Sequence, residues 1–219
     1  LDKKVNVDGK GSLIPINFDN AATTPPFKGV MNKILKTSEN YGSIARGDGQ
    51  KSQYCSELYE NCRKYILEYF NAPIDLYTAI FVSNTTEGLN RLSNILIDNK
   101  DDIIITTRME HHSNDLPWRN KCNLKYADVD SKGRLKIEEI EAILEKYQER
   151  VKYVTVTGAS NVSGYINDIR TIAKLAHKYG AKIIVDGAQL VPHKKISIIQ
   201  DNDDENIDFL VFSGHKIYA

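Results

Sequence analysis

Ile183-Ile184-Val185-Asp186-Gly187-Ala188-Gln189 is an apolar run that ends in a carboxylate and then turns through glycine. Too short for an ordinary helix and rich in β-branched residues, it reads with Lys182 as a buried strand, Lys182 to Asp186. Working outward, further strands are expected at Tyr77 to Ser83, Asp102 to Thr106, Leu124 to Val129, Lys152 to Thr157 and Asp208 to Phe212. Longer helical patterns separate or precede them at Lys28 to Ser38, Ser52 to Phe70, Thr86 to Ile97, Ser113 to Asn120, Ile137 to Tyr147 and Asp168 to Tyr179. Strands alternating with helices predict an α/β fold of three αβα layers, with a mainly parallel, mixed central sheet. Asp168 is placed to cap the last of these helices and Gly180 to end it.

The 219 residues suffice for one large domain, and 41% of them are hydrophobic. Twenty-nine basic and twenty-nine acidic residues cancel, so no net field draws in nucleic acid or an anionic membrane. A small molecule or another subunit is the expected partner. No apolar run approaches the roughly 18 residues of a membrane span, and the polar start Leu1-Asp2-Lys3-Lys4 does not read as a signal peptide. Of three cysteines, Cys55 and Cys62 lie on one expected helix, roughly 10 Å apart along its axis, too far for a disulfide. A reducing, cytoplasmic setting follows as the expectation. Residues 1–13 read as a loose arm, Gly42 to Gly49 as a long loop and Gln200 to Asn206 as a solvated one.

Three familiar patterns are approached and missed. Asp128 to Glu139 matches several positions of a calcium loop, but Lys132 puts a cation where an oxygen ligand belongs, and a strand precedes it. In Gly47-Asp48-Gly49-Gln50-Lys51-Ser52 the lysine does not follow the glycine directly, as a nucleotide phosphate loop requires. His111 and His112 are adjacent, so they diverge, and no second ligand pair accompanies them. No metal is expected.

Three strand ends carry chemistry. Asp186 stands where ligands of open α/β sheets bind and could pair with a protonated ring nitrogen, although a turn or cap role explains it equally in isolation. Ala79-Ile80-Phe81-Val82-Ser83-Asn84-Thr85-Thr86-Glu87-Gly88 meets a helix start with two hydroxyls, suited to phosphate but also ordinary for a capped helix. Phe209-Leu210-Val211-Phe212-Ser213-Gly214-His215-Lys216 ends in a hydroxyl, an imidazole and an amine. A lysine here is ordinarily solvated surface; beside the other two sites it can be the amine that condenses with an aldehyde cofactor.

Taken in order, Asn17 to Thr24, Thr85-Thr86-Glu87, Met109 to Asn114 with Pro117-Trp118, Ser160-Asn161-Val162, Val185 to Gln189 and Ser213 to Lys216 resemble the motifs of the class V aminotransferases. These are pyridoxal phosphate (PLP) enzymes of fold type I, and the resemblance is strongest to cysteine desulfurases and selenocysteine lyases. It implies that Lys216 is the Schiff-base lysine, that Asp186 pairs with the pyridine nitrogen and that His111 stacks on the ring and moves protons. It places Asn161 and Gln189 near the ring hydroxyl or the Schiff base. Thr85, Thr86, Ser213 and His215 would hold the phosphate or its surroundings, and Asn20, Ala21 and Arg46 would face the substrate.

The same resemblance implies a PLP-binding large domain over residues 14–219, incomplete and without the family's C-terminal small domain. The missing part would supply a carboxylate-binding arginine and a persulfide-forming cysteine, with which neither Cys55, Cys62 nor Cys122 aligns. It further implies an amino-acid substrate, a homodimer and a sulfur-acceptor protein. The loop Ala45-Arg46-Gly47-Asp48-Gly49 keeps only the arginine and glycine of the His-Arg-Gly-x-His stretch usual in desulfurases. Selenocysteine cleavage, transamination, epimerisation and a non-catalytic folding or dimerisation module therefore stand as alternatives.

Overall fold

A computed structural model describes residues 3–218; Leu1, Asp2 and Ala219 lie outside the described residues. The expected loose arm forms a short antiparallel hairpin of β1 (Val5–Val7) and β2 (Gly11–Leu13), exposed throughout. After it come α1 (Lys28–Ser38), α2 (Gln50–Tyr69) and α3 (Thr85–Ile95). The remaining regular elements are β3 (Ile103–Thr107), β4 (Asn123–Ala127), α4 (Ile137–Tyr147), β5 (Val151–Thr157), α5 (Ile169–Lys178), β6 (Lys182–Asp186) and β7 (Phe209–Val211).

The five later strands form one sheet in the order β4-β3-β5-β6-β7, with every ladder parallel rather than mixed. Side chains alternate across it as the pleat demands. Ile103, Ile105, Ile183 and Val185 enter one core with α2, α4 and α5, while Ile104 and Ile184 enter another with Leu89 of α3 and Trp118. Helices thus cover both faces, giving the three layers. β4 lies on one side of β3 and β5 on the other, so the chain reverses its direction of travel across the sheet between β3 and β5. Such a switch point opens a crevice at the carboxyl ends of the strands.

Two expected elements are corrected. Tyr77 to Ser83 forms no strand and joins no ladder among the described residues. Its polar groups turn to a side chain instead: Arg63 of α2 donates to the Ala79 carbonyl at 2.9 Å and to Thr78 Oγ1 at 2.6 Å. The expected helix Ser113 to Asn120 is two 3₁₀ turns, His112–Asn114 and Leu116–Trp118. Pro117 has no N–H to donate and restricts the residue before it, which divides the segment. The capping of α5 follows the sequence. Asp168 accepts from the Thr171 N–H, and Gly180, at φ +75°, donates to the His177 carbonyl.

Candidate active site

Four strand ends converge on a cavity of about 270 Å³. β6 delivers Asp186, β7 leads into Ser213 and the 3₁₀ turn Gly214–Lys216, β3 leads to His111, and β5 leads to Thr157 and Asn161. The N-terminus of α3 adds Asn84, Thr85 and Thr86. His111 and Asn161 thus come from the two loops that diverge at the switch point.

Asp186 is only 3% exposed, and its Oδ1 accepts from the Ala188 N–H at 2.9 Å. Burial raises its pKa, while that N–H, His111 and Lys216 pull it back. A buried acid of this kind is stabilised as a carboxylate by a cation. Among the described residues Lys216, half-buried, makes no salt bridge, so its amine is not committed elsewhere.

The start of α3 has the features of an anion site. Asn84 Oδ1 caps the helix by accepting from the Glu87 N–H at 2.9 Å, a position the sequence had left to the threonines. The Thr85 N–H donates to Ser213 Oγ, and the Gly88 N–H to the Asn84 carbonyl. Thr86 contributes an N–H with no hydrogen-bond partner among the described residues, at the positive end of the helix dipole. Free N–H, dipole and hydroxyl together suit a phosphate.

A hydrogen-bonded network of mostly buried side chains flanks His111 in sequence. Glu110 accepts from Thr107 Oγ1 and Asn114 Nδ2, both at 2.6 Å, and Asn114 Oδ1 accepts from Thr155 Oγ1 and Trp118 Nε1. Burial pushes the Glu110 carboxyl up to about 8, against the hydrogen bonds from Thr107, Thr157 and Asn114, and Asp186 adds to the rise. Glu110 and Asn114 stood in the recognised segment without a role. Thr107, Asn114 and Trp118 are local partners, but Thr155 reaches Asn114 from β5, a contact that spacing does not mark.

The N-terminal segment closes the site from the other end of the chain. Thr23 Oγ1, Thr24 Oγ1 and the Thr24 N–H all donate to the His215 carbonyl, and Gln189 Nε2 donates to the Ala21 carbonyl at 2.8 Å. Ala22 lines the cavity, whereas Asn20 is exposed and bonds to Asn17. Arg46 lies on the exposed loop before α2 and does not line the cavity. Of the expected site residues, Lys216, Asp186, His111, Thr85, Thr86, Asn161, Gln189, Ser213 and His215 share its wall. The fit to PLP is therefore chemical as well as spatial: an uncommitted amine, a buried acid in need of a cation and an anion cradle surround one cavity.

Comparison with known proteins agrees with this geometry. Residues 16–219 match the profile of the family described as aminotransferase class V. A probable cysteine desulfurase of Borreliella burgdorferi is 37% identical over 215 residues, and a cysteine desulfurase of Wigglesworthia glossinidia brevipalpis 35% over 214. The alignments cover 93% of this chain but 49% and 50% of those proteins. The apo structure of a cysteine desulfurase from Thermococcus onnurineus superposes with a TM-score of 0.79 at 31% identity, over 91% of this chain and 50% of that one. The chain spans about half the length of the curated relatives it matches, and it belongs to the aminotransferase class V family of PLP-dependent enzymes.

Proposed function

We propose that residues 14–219 form a PLP-binding large domain and that the complete protein is a cysteine desulfurase, taking sulfur from L-cysteine and leaving L-alanine. One observation carries the reading: Lys216, Asp186, His111 and the start of α3 meet around a single cavity. In this reading the Lys216 amine attaches the cofactor through its aldehyde, and Asp186 holds a proton on the ring nitrogen. His111 covers a ring face, and Asn161 and Gln189 hydrogen-bond near the ring hydroxyl. Thr86, with Thr85, Ser213 and His215, holds the phosphate. Bound PLP supplies an electron-withdrawing ring that stabilises negative charge at the substrate's α-carbon. The protein's part is to keep Asp186 ionised against its own desolvation and to hold His111 beside the reacting atoms.

The similarity to named desulfurases supports the choice of reaction within the family. Neither Cys55, Cys62 nor Cys122 lines the cavity, so the sulfur-accepting thiol is assigned to the rest of the complete protein, as is the arginine for the substrate carboxylate. A homodimer fits the apolar surface that α1 and the segment before it expose, with Phe18 92% and Leu35 62% accessible. A sulfur-acceptor protein and a cytoplasmic setting complete the reading. No helix among the described residues is long and apolar enough to cross a membrane.

Equilibrium dialysis against PLP tests the cofactor assignment. The wild-type chain binds, and Asp186→Asn weakens binding by about tenfold to a hundredfold, the loss expected for one charge-assisted hydrogen bond. Equal binding by both would overturn the role of Asp186. With PLP and L-cysteine the 219-residue chain alone is expected to release no sulfide. Sulfide release would refute the division of the reaction between this domain and the rest of the protein.

A further inference from the structure

The hydrogen bonds around His111 have a determinable direction. Its Nδ1 lies 3.1 Å from the main-chain N–H of Ser113 and 2.9 Å from Ser113 Oγ. A main-chain N–H can only donate, so Nδ1 is the acceptor and carries no proton. The neutral imidazole must then hold its hydrogen on Nε2, the ring nitrogen with no hydrogen-bond partner among the described residues. Because Nδ1 accepts, the Ser113 hydroxyl donates to it. Ser113 Oγ lies 2.7 Å from Thr86 Oγ1, and with its hydrogen already used it accepts from Thr86.

We propose that Ser113 is a positioning residue that fixes His111 as the Nε2–H tautomer and links the imidazole to the anion cradle through Thr86. The link rests on the reading of the α3 start as the phosphate site; the tautomer assignment stands without it. As a result His111 presents a hydrogen-bond donor at Nε2, and a further proton, which can enter only at Nδ1, would face the Ser113 main-chain N–H there. The Thr86 hydroxyl hydrogen points along the relay in the free protein. A phosphate oxygen at the helix start competes for that hydrogen, so anion binding changes the partner of Ser113 and is felt at His111.

Long-range proton–nitrogen correlation spectra of the histidine-labelled 219-residue chain test this at about pH 8, above the ordinary imidazole pKa. The His111 signals are identified by their loss in His111→Gln. In the wild type Nε2 is expected in the protonated range and Nδ1 in the unprotonated range. Ser113→Ala keeps the main-chain donor, and with it the Nε2–H tautomer, but removes the hydroxyl donor and moves the Nδ1 signal toward that of a less hydrogen-bonded nitrogen, whereas Ser113→Thr keeps the wild-type pattern. An Nδ1–H tautomer in the wild type, or a Ser113→Ala spectrum identical to it, overturns the proposal. Added inorganic phosphate shifts the wild-type His111 signals and shifts those of Ser113→Ala by less than half as much. No shift in the wild type removes the link through Thr86. These outcomes are separable from the cofactor reading: PLP attachment at Lys216 together with an Nδ1–H His111 sinks only this inference, and the reverse pair of results sinks only the cofactor reading.

Discussion

The Thr85 main-chain N–H donates to Ser213 Oγ at 2.8 Å, and Thr85 Oγ1 lies 2.7 Å from the same oxygen, joining residues 128 positions apart in sequence. Both residues are buried, at 5% and 4% exposure. The contact ties the start of α3 to the turn that carries Lys216, so the proposed phosphate site and the proposed cofactor-binding amine keep a fixed separation.

Ser213→Ala leaves the Thr85 N–H and hydroxyl without that partner in a buried place. A loss of about 1–3 kcal/mol of stability is expected, measured by urea unfolding. PLP should also bind more weakly, because the cradle is no longer referenced to Lys216. Unchanged unfolding and binding would show that the contact is not a structural tie.

Glu110 makes stability depend on pH. Burial raises its native pKa from 4.5 to about 8. The native state therefore holds a proton that the unfolded state releases over this interval. The resulting stabilisation is complete below the unfolded pKa, declines as pH rises and is gone once the native group ionises, near pH 8. Glu110→Gln keeps the shape, can accept from Asn114 Nδ2 through its amide oxygen while its Nε2 donates to Thr107 Oγ1, and has no titrating proton. Between about pH 5 and 8 the wild type should lose more melting temperature than this variant. Parallel curves for the two proteins would contradict the assignment.

The cysteines should differ in reactivity. Burial, with Asp102 nearby, pushes the Cys122 thiol up to about 11, and its Sγ donates to the Trp118 carbonyl. Cys62 is exposed on α2. Iodoacetamide at about pH 8 is expected to label Cys62 well before Cys122, because the thiolate is the reactive form. Peptide mapping over time reads the order. Cys122 reacting first would mean that its surroundings favour the thiolate.

The α/β layering, and Asp186 and Lys216 after apolar runs, were legible in the sequence as local signals, whereas His111, Asn161 and Gln189 entered only through the resemblance to class V aminotransferases. Lys182–Asp186 appears in the structure with the expected limits, and Lys216, Asp186 and His111 meet at one cavity. What sequence spacing could not supply is pairing. Tyr77 to Ser83 has strand-like composition, yet a strand requires a hydrogen-bonded neighbour, and Arg63 takes that place in part. Gly187 reads as a turn glycine, but its tight requirement is steric. A Cβ there would stand 3.0 Å from Val191 Cγ2 and 2.8 Å from Leu210 Cδ1, the second a contact made only when β7 lies beside β6. The Glu110–Asn114–Thr155 network was hidden for the same reason, since its members come from separate strands and turns.

The most direct test of the account is to add PLP to the purified chain, reduce with borohydride and locate the modified residue by peptide mass spectrometry. A pyridoxyl group is expected on Lys216, with its disappearance and no relocation in Lys216→Ala. Absence of any adduct, or modification scattered over surface lysines and unchanged in Lys216→Ala, would contradict the assignment of this cavity as the cofactor site.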